Sequence, residues 1–368
     1  MRLKSSSGGV FSLLARAVLE QGGVVFGAGY AKPLPDSEIT NAQTSNLEVR
    51  HSFIESLQDI DNFRRSKYVE SPIGDCFIKA KEFLRVGRLV LFSGVQCQIH
   101  GLNAFLRKKY PNLLTIEVIC NSVPSPKIWR IYKESMLDGE DSQLLDFNFR
   151  GKDYGWERGI FAAKTKTKTK TKTKTIPHTL SPYYTGFLGH TTTRPSCENC
   201  FSKDMRSGAD ITLGDFWGVR NFHPDFVDDK GISCVIFNNA NAHKWLDSIT
   251  SFAKVEKSSI YAVLSGNRAL VQSGFVNKKR KKILTEIINL YEQKCKEFGA
   301  DSPQSLARQK AARKAVNLLH KLTKTPFLTR LVCFVKRCIK KVILLLLPRK
   351  AKDFLKPRIK KLRQRIAR

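Results

Sequence analysis

No stretch of this chain is apolar for the roughly 18 residues that a membrane-crossing helix needs. The longest unbroken apolar run, Val342 to Leu347, is far too short. The amino terminus, Met1-Arg-Leu-Lys-Ser-Ser-Ser, lacks the apolar core of a secretion signal. Acidic residues are scarce: 32 Asp and Glu stand against 64 Lys and Arg, for a formal net charge of +32. The nine cysteines are an odd number, which without a secretion signal argues against a disulfide scaffold and for a reducing, cytoplasmic compartment. No two of His100, His178, His190 and His223 stand at metal-ligand spacing. No zinc-finger pattern or RNA-recognition aromatic motif is present, which argues against nucleic acid as the partner despite the charge.

The positive charge is concentrated. From Arg308 to Arg368 there are 21 basic residues and one acid, Asp353, a net +20. An alternating Lys-Thr run from Lys164 to Thr175 adds six lysines. The remainder carries about +6, ordinary for a soluble domain. Two segments are therefore expected: a core over 1–276, with residues 164–175 a low-complexity insert, and a basic, helical tail over 277–368. The insert reads as a flexible hairpin extension or disordered loop, because like charges recur every second residue. In the tail, Leu331, Phe334, Val335, Cys338, Val342 and Leu345 can share one helical face beside Arg330, Lys336, Arg337, Lys340 and Lys341. A basic amphipathic helix of this kind suits an anionic membrane surface, so peripheral binding through 328–368 to the inner membrane face is expected.

The core is organised around Arg88-Leu-Val-Leu-Phe-Ser-Gly-Val-Gln-Cys97-Gln-Ile-His-Gly-Leu102. Leu89 to Phe92 reads as a buried strand, Ser93-Gly94 as a turn, and Ile99, Leu102, Ala104 and Phe105 as the apolar face of a helix. Leu113 to Cys120 is a second buried strand that also ends in cysteine. Two such strands joined by a helix form a parallel βαβ unit, which places Cys97 and Cys120 at the same sheet edge. Further helices are expected over Val10–Val18, 75–85, 128–136 and 242–252, and strands over 24–30 and 232–238. The fold class is α/β: a mixed, partly parallel sheet flanked by helices, with a basic helical tail.

Four cysteines carry the chemistry. Cys197 and Cys200 form a Cys-x-x-Cys pair, suited to a metal chelate or a redox dithiol. Cys97 and Cys120 can complete a tetrathiolate, which favours zinc or an iron–sulfur cluster. Against this, a free cysteine is commonly a small buried hydrophobe. Cys76, Cys234, Cys295, Cys333 and Cys338 read as packing or incidental residues. Ser5-Ser-Ser-Gly-Gly9 feeds a helix N-terminus, where free backbone N–H groups suit a phosphate; the competing reading is that Ser7 is an ordinary helix cap. Asp210 and Asp215 read as orienting backbone groups rather than as acid–base catalysts.

Five motifs occur in order: Ser-Ser-Gly-Gly-Val-Phe; Leu-Phe-Ser-Gly-x-x-Cys-Gln-Ile-x-Gly-Leu; Ile-Cys-x-x-Val-Pro-Ser-Pro; Arg-Pro-Ser-Cys-x-x-Cys; and Asp-Ile-Thr-Leu-Gly-Asp-Phe-Trp-Gly. Together they resemble the beta-subunit family of coenzyme F420-reducing hydrogenase and dehydrogenase, over roughly residues 4 to 275. Formate dehydrogenase beta subunits and 7-hydroxymethyl chlorophyll a reductase belong to the same group. The resemblance implies an oxidoreductase with FAD and a [4Fe-4S] cluster, passing electrons between iron–sulfur centres and an organic acceptor. It puts Cys97, Cys120, Cys197 and Cys200 on the cluster. Ser7, Gly8, Gly9, Lys67, Gly94 and Gln98 become the candidate FAD or substrate contacts.

Three departures bear on this expectation. The ferredoxin-like domain of many relatives, with its Cys-x-x-Cys-x-x-Cys runs, is absent from this sequence, so a separate ferredoxin or iron–sulfur subunit, or a longer parent chain, is expected to supply electrons. Val95-Gln96 and Asn121-Ser122 replace the family's Thr-Pro and His-Gly, which bears on the flavin pocket and the substrate. The Lys-Thr insert interrupts the core and bears on activity. Relatives in bacteria without coenzyme F420 are associated with polysaccharide biosynthesis. The competing expectation is a non-catalytic zinc protein or decayed paralogue acting as a membrane-associated interaction protein.

Overall fold

Strand β1 (Val24–Tyr30) and strand β3 (Val90–Val95) are almost wholly apolar because both of their faces are covered. Val24, Phe26, Val90 and Phe92 point into one core with Ala80 and Leu84 of helix α2 (Cys76–Arg85) and Ile99 and Leu102 of helix α3 (Gln96–Leu106). The alternate residues Val25, Leu91, Leu114 and Ile116 point the other way, onto Leu14 and Val18 of helix α1 (Val10–Glu20). The result is a layer of helices on each side of a six-stranded sheet. The computed structural model describes residues 1–31, 47–299 and 305–323. The tail segment 328–368, with Cys333 and Cys338, lies outside the described residues.

The sheet has the order β2-β1-β3-β4-β8-β9, with β2 (Val49–Ile54), β4 (Leu113–Val118), β8 (Ile211–Asp215) and β9 (Ser233–Phe237). Strands β1, β3, β4 and β8 are parallel, and the edges β2 and β9 are antiparallel. The expected βαβ unit is β3-α3-β4, in register from Val90↔Leu113 to Val95↔Val118. Ser93-Gly94 is not a turn: the strand runs through both residues and passes directly into α3 at Gln96. Gln98 makes this abrupt entry workable, its Oε1 accepting the Val95 N–H at 3.0 Å.

A second sheet is antiparallel, in the order β5 (Gln143–Gly151), β6 (Ile160–Lys166) and β7 (Thr171–Pro177). Phe147, Phe149 and Phe161 pack on Trp129 and Tyr132 of helix α4 (Pro126–Met136) and on Tyr183 of helix α5 (Pro182–Leu188). Ile283, Ile287 and Tyr291 of helix α9 (Arg280–Glu297) enter the same core, as do Ala311, Ala312, Ala315 and Leu319 of helix α10 (Leu306–Thr323). The helices beyond residue 277 thus share their hydrophobic core with the segment inserted between β4 and β8.

The Lys-Thr run forms the end of the β6–β7 hairpin. Its register pairs Lys164↔Thr173, Thr165↔Lys172 and Lys166↔Thr171. Lysines occupy even positions and threonines odd ones, so this register sets every such lysine opposite a threonine. A one-residue slip would set lysine against lysine, which is unfavourable.

Over 242–252 the expected single helix is two short ones, α6 (Ala240–His243) and α7 (Asp247–Thr250). Between them, Trp245 and Leu246 donate to carbonyls three residues back, at 3.1 Å each. The tightened turn keeps both Ala242 and Ile249 in the core facing α1. The remaining helix, α8 (Ile260–Gly266), buries Ala262 and Val263.

Candidate functional site

The site lies at the carboxyl edge of the parallel strands. Cys97 is the second residue of α3, directly after β3. Cys120 stands two residues beyond β4. The Cys-x-x-Cys segment arrives from the second-sheet insertion as a 3-10 turn, Pro195–Asn199. Backbone bonds hold it down: Arg194 N–H donates to Val123 O at 2.9 Å, Gly274 N–H to Cys197 O at 3.0 Å, and Cys200 N–H to Ser273 Oγ at 2.9 Å. Glu198, between the two cysteines, pairs with Arg280 at the start of α9.

All four thiols line one pocket, together with Gln96, Arg194 and Lys203. Among the described residues no group of three or more His, Cys, Asp or Glu side chains is placed to hold a single metal ion. The four sulfurs share a space rather than meeting at one point. Cys76 and Cys234 are buried away from this pocket, as packing residues.

Burial dominates the electrostatics. It pushes the Cys120 thiol up to about 12, against the pull of Lys203, and it raises Cys97 against the pull of Arg194. Each of these two thiols also feels the charges of Cys197 and Cys200. Arg194 Nη2 lies 4.0 Å from Cys97 Sγ, and its Nη1 pairs with Glu70 at 2.9 Å. Lys203 is buried and donates to Gln96 Oε1 at 2.9 Å, to Cys120 O, and to Ala269 O at 2.5 Å. Neither cation stood out in the sequence, although both flank the Cys-x-x-Cys pair, which is the signal that marks them.

The six residues expected at FAD or substrate fall in three segments. Ser7, Gly8 and Gly9 lead into α1, and Gly9 takes φ +96°, which favours glycine. Ser7 Oγ donates to Ile232 O at 2.8 Å and Gly8 N–H to Ser233 Oγ at 3.0 Å, so both groups are engaged by the start of β9. Lys67 donates to Asn62 O at 3.1 Å and Arg64 O at 2.8 Å, and burial pulls its ammonium down to about 7. Gly94 and Gln98 sit at the β3–α3 junction, where Gln98 also donates to Ser71 O at 2.9 Å. The polar groups of Ser7, Gly8 and Gln98 thus have partners within the chain.

A buried ionic cluster at the same edge was only partly marked in the sequence. Arg150, on β5, pairs with Asp215 at the end of β8 at 3.0 Å and contacts Tyr68 Oη at 3.2 Å. Trp156 Nε1 donates to the other Asp215 oxygen at 2.9 Å, and its ring stacks on Trp217 with centroids 4.9 Å apart. The Asp-Phe-Trp-Gly motif contributes Asp215 and Trp217; nothing local marked Arg150. The other aspartate considered, Asp210, accepts the Thr115 N–H and Oγ1, both at 2.7 Å, orienting backbone as expected.

His223 bridges Glu256 at 2.7 Å and Ser258 at 2.8 Å. The order is that of a nucleophile-activating relay, but Glu256 and Ser258 are both exposed and water competes for each bond. It is a staple holding the 252–259 segment.

Residues 87–262 match the family model that describes the C terminus of the beta subunit in coenzyme F420 hydrogenase/dehydrogenase. Among solved structures, this chain is similar to one in the F420-reducing [NiFe] hydrogenase complex from Methanosarcina barkeri, studied by xenon derivatization. The identity is 16%, the TM-score 0.44, and the match covers 79% of this chain and 88% of that one. No curated protein matches. Among the described residues, no helix is long and apolar enough to cross a membrane.

Proposed function

We propose that this chain, whose residues 87–262 belong to the coenzyme F420 hydrogenase/dehydrogenase beta-subunit family, is an iron–sulfur oxidoreductase whose [4Fe-4S] cluster is held by Cys97, Cys120, Cys197 and Cys200. The family carries a redox role. The observation that supports the cluster is one pocket lined by four thiols from three separate segments, with a guanidinium and an ammonium beside them. Sulfur donors that share a space suit a polynuclear cluster better than a lone zinc, which needs its four ligands about 2.3 Å from one centre. The cluster would supply one-electron transfer. The chain's part is to bring the four sulfurs to one pocket, fix their directions through the Val123, Ser273 and Gly274 contacts, and set Arg194 and Lys203 against the negative charge that the sulfurs would carry as ligands.

FAD rests on the family resemblance. The groups of Ser7, Gly8 and Gln98 expected to bind it are engaged by the protein and do not fit a flavin as they stand. The donor is a separate ferredoxin or iron–sulfur subunit, and the acceptor an organic molecule, with a place in polysaccharide biosynthesis on the same ground.

Anaerobic purification followed by iron, sulfide and flavin analysis tests the reading. A brown protein with matching iron and sulfide supports it. A colourless protein carrying one zinc per chain would replace it with the structural-zinc alternative.

A further inference from the structure

We propose that Lys203, seconded by Arg194, is the fixed countercharge of an anionic cluster in the thiol pocket and sets how readily that cluster accepts an electron. The inference rests on the iron–sulfur reading above.

Lys203 is 6% exposed, in contact with Gln96, which is 1% exposed. Its three acceptors are Gln96 Oε1, Cys120 O and Ala269 O. Hydrogen bonding is therefore complete, but none of the three is a carboxylate, and among the described residues Lys203 forms no ion pair. A buried ammonium with no counter-ion is strongly unfavourable. Its orientation is also built in: Gln96 Nε2 donates to Leu270 O at 3.1 Å, which turns Gln96 Oε1 toward the ammonium. The side chain lines the pocket beside all four thiols. Four thiolates around a cluster supply the missing negative charge.

The same ammonium touches each thiol-bearing segment: Gln96 precedes Cys97, Cys120 offers its carbonyl, and Lys203 itself follows Cys200. Arg194 lies 4.0 Å from Cys97 Sγ, but it shares its charge with Glu70. Lys203 therefore has the larger effect. One-electron reduction by a ferredoxin-class donor makes and breaks no bond; it adds one negative charge to a group that is already anionic. A fixed positive charge in a low-dielectric pocket favours the reduced form.

The test uses the full chain, reconstituted anaerobically with iron and sulfide and titrated with a spin-resonance readout of the reduced cluster. At the wild-type midpoint, Lys203→Gln is expected to lower the reduced-to-oxidised ratio about tenfold, a shift of about 59 mV for one electron. Arg194→Gln shifts it in the same direction by less, and Arg194→Lys leaves it in place. A role as a mere clamp predicts less cluster bound at an unchanged potential. That result for Lys203→Gln overturns the proposal. If Lys203→Gln does not fold, an Arg194→Gln cluster with the wild-type potential overturns it instead. A wild-type chain that assembles no iron–sulfur cluster removes the functional reading as well; a loaded wild type with unmoved variants removes only this inference.

Discussion

Cys97 and Cys120 each stand two residues beyond a register pair, Val95 and Val118, at the ends of adjacent parallel strands. Adjacent strands lie roughly 4.8 Å apart. Two cysteines from different parts of the chain therefore leave the sheet at the same level, and the Cys-x-x-Cys turn closes over them. Parallel pairing alone provides half of the pocket's sulfur.

Serine at any of Cys97, Cys120, Cys197 or Cys200 is expected to abolish stable cluster binding, because each thiol lines the pocket. Cys234→Ser is the control: Cys234 is 3% exposed on β9 and outside the pocket. Iron and sulfide per chain, measured after anaerobic reconstitution, separate the two outcomes. Retention of wild-type iron by all four pocket variants would exclude the tetrathiolate.

The hairpin register predicts a charge effect. Thr173→Lys sets a second lysine opposite Lys164 and is expected to destabilise the hairpin by about 0.2–1 kcal/mol. Thr173→Glu is expected to stabilise it by a similar amount. Both effects should shrink in molar salt, since the pair is exposed and screened. Hydrogen exchange of the 160–177 amides at low and high salt measures this. An equal response to Lys and Glu at position 173 would mean a different register.

His178 is buried against Phe149 O at 2.9 Å and Tyr184 at 4.0 Å between ring centroids. Burial lowers its pKa from 6.5 to about 4. Between those values the unfolded chain binds a proton that the folded chain refuses. Its contribution is therefore at full strength above pH 6.5 and is lost as pH falls toward 4. His178→Asn should flatten the stability profile in that window. Denaturant unfolding at pH 4.5 and 7 reads the difference, and equal slopes in wild type and variant would contradict it.

Removing Arg150 leaves the Asp215 carboxylate without its ion-pair partner in a largely buried place. The side chains are 4% and 16% exposed. Arg150→Met is expected to cost about 3–5 kcal/mol, whereas an exposed pair such as Lys79–Glu82 is worth under about 1 kcal/mol. Chemical denaturation of the two single variants compares them directly; a cost at Arg150 no larger than at Lys79 would show that water reaches Asp215.

Much of the architecture was readable along the chain. The continuous apolar runs at Val24 and Val90 announced strands buried on both faces, and Val10, Leu14 and Val18 announced the inner face of α1. Ser93-Gly94 misled because glycine there serves close packing on Gln98, not a turn. The 242–252 helix divided because its register is set by contact with α1. The hairpin order of the Lys-Thr run depends on the cross-strand offset, which no local pattern contains.

The βαβ unit, with a cysteine at the end of each of its strands, follows from the local order of residues alone, because period and strand termination are local properties of the backbone. Tertiary packing brings the Cys-x-x-Cys turn onto those two cysteines, buries Lys203 beside them on three acceptors that are not carboxylates, and carries Arg150 to Asp215. These depend on which distant segments exclude water together, and the energy of a charge is set by that exclusion rather than by its neighbours in the chain.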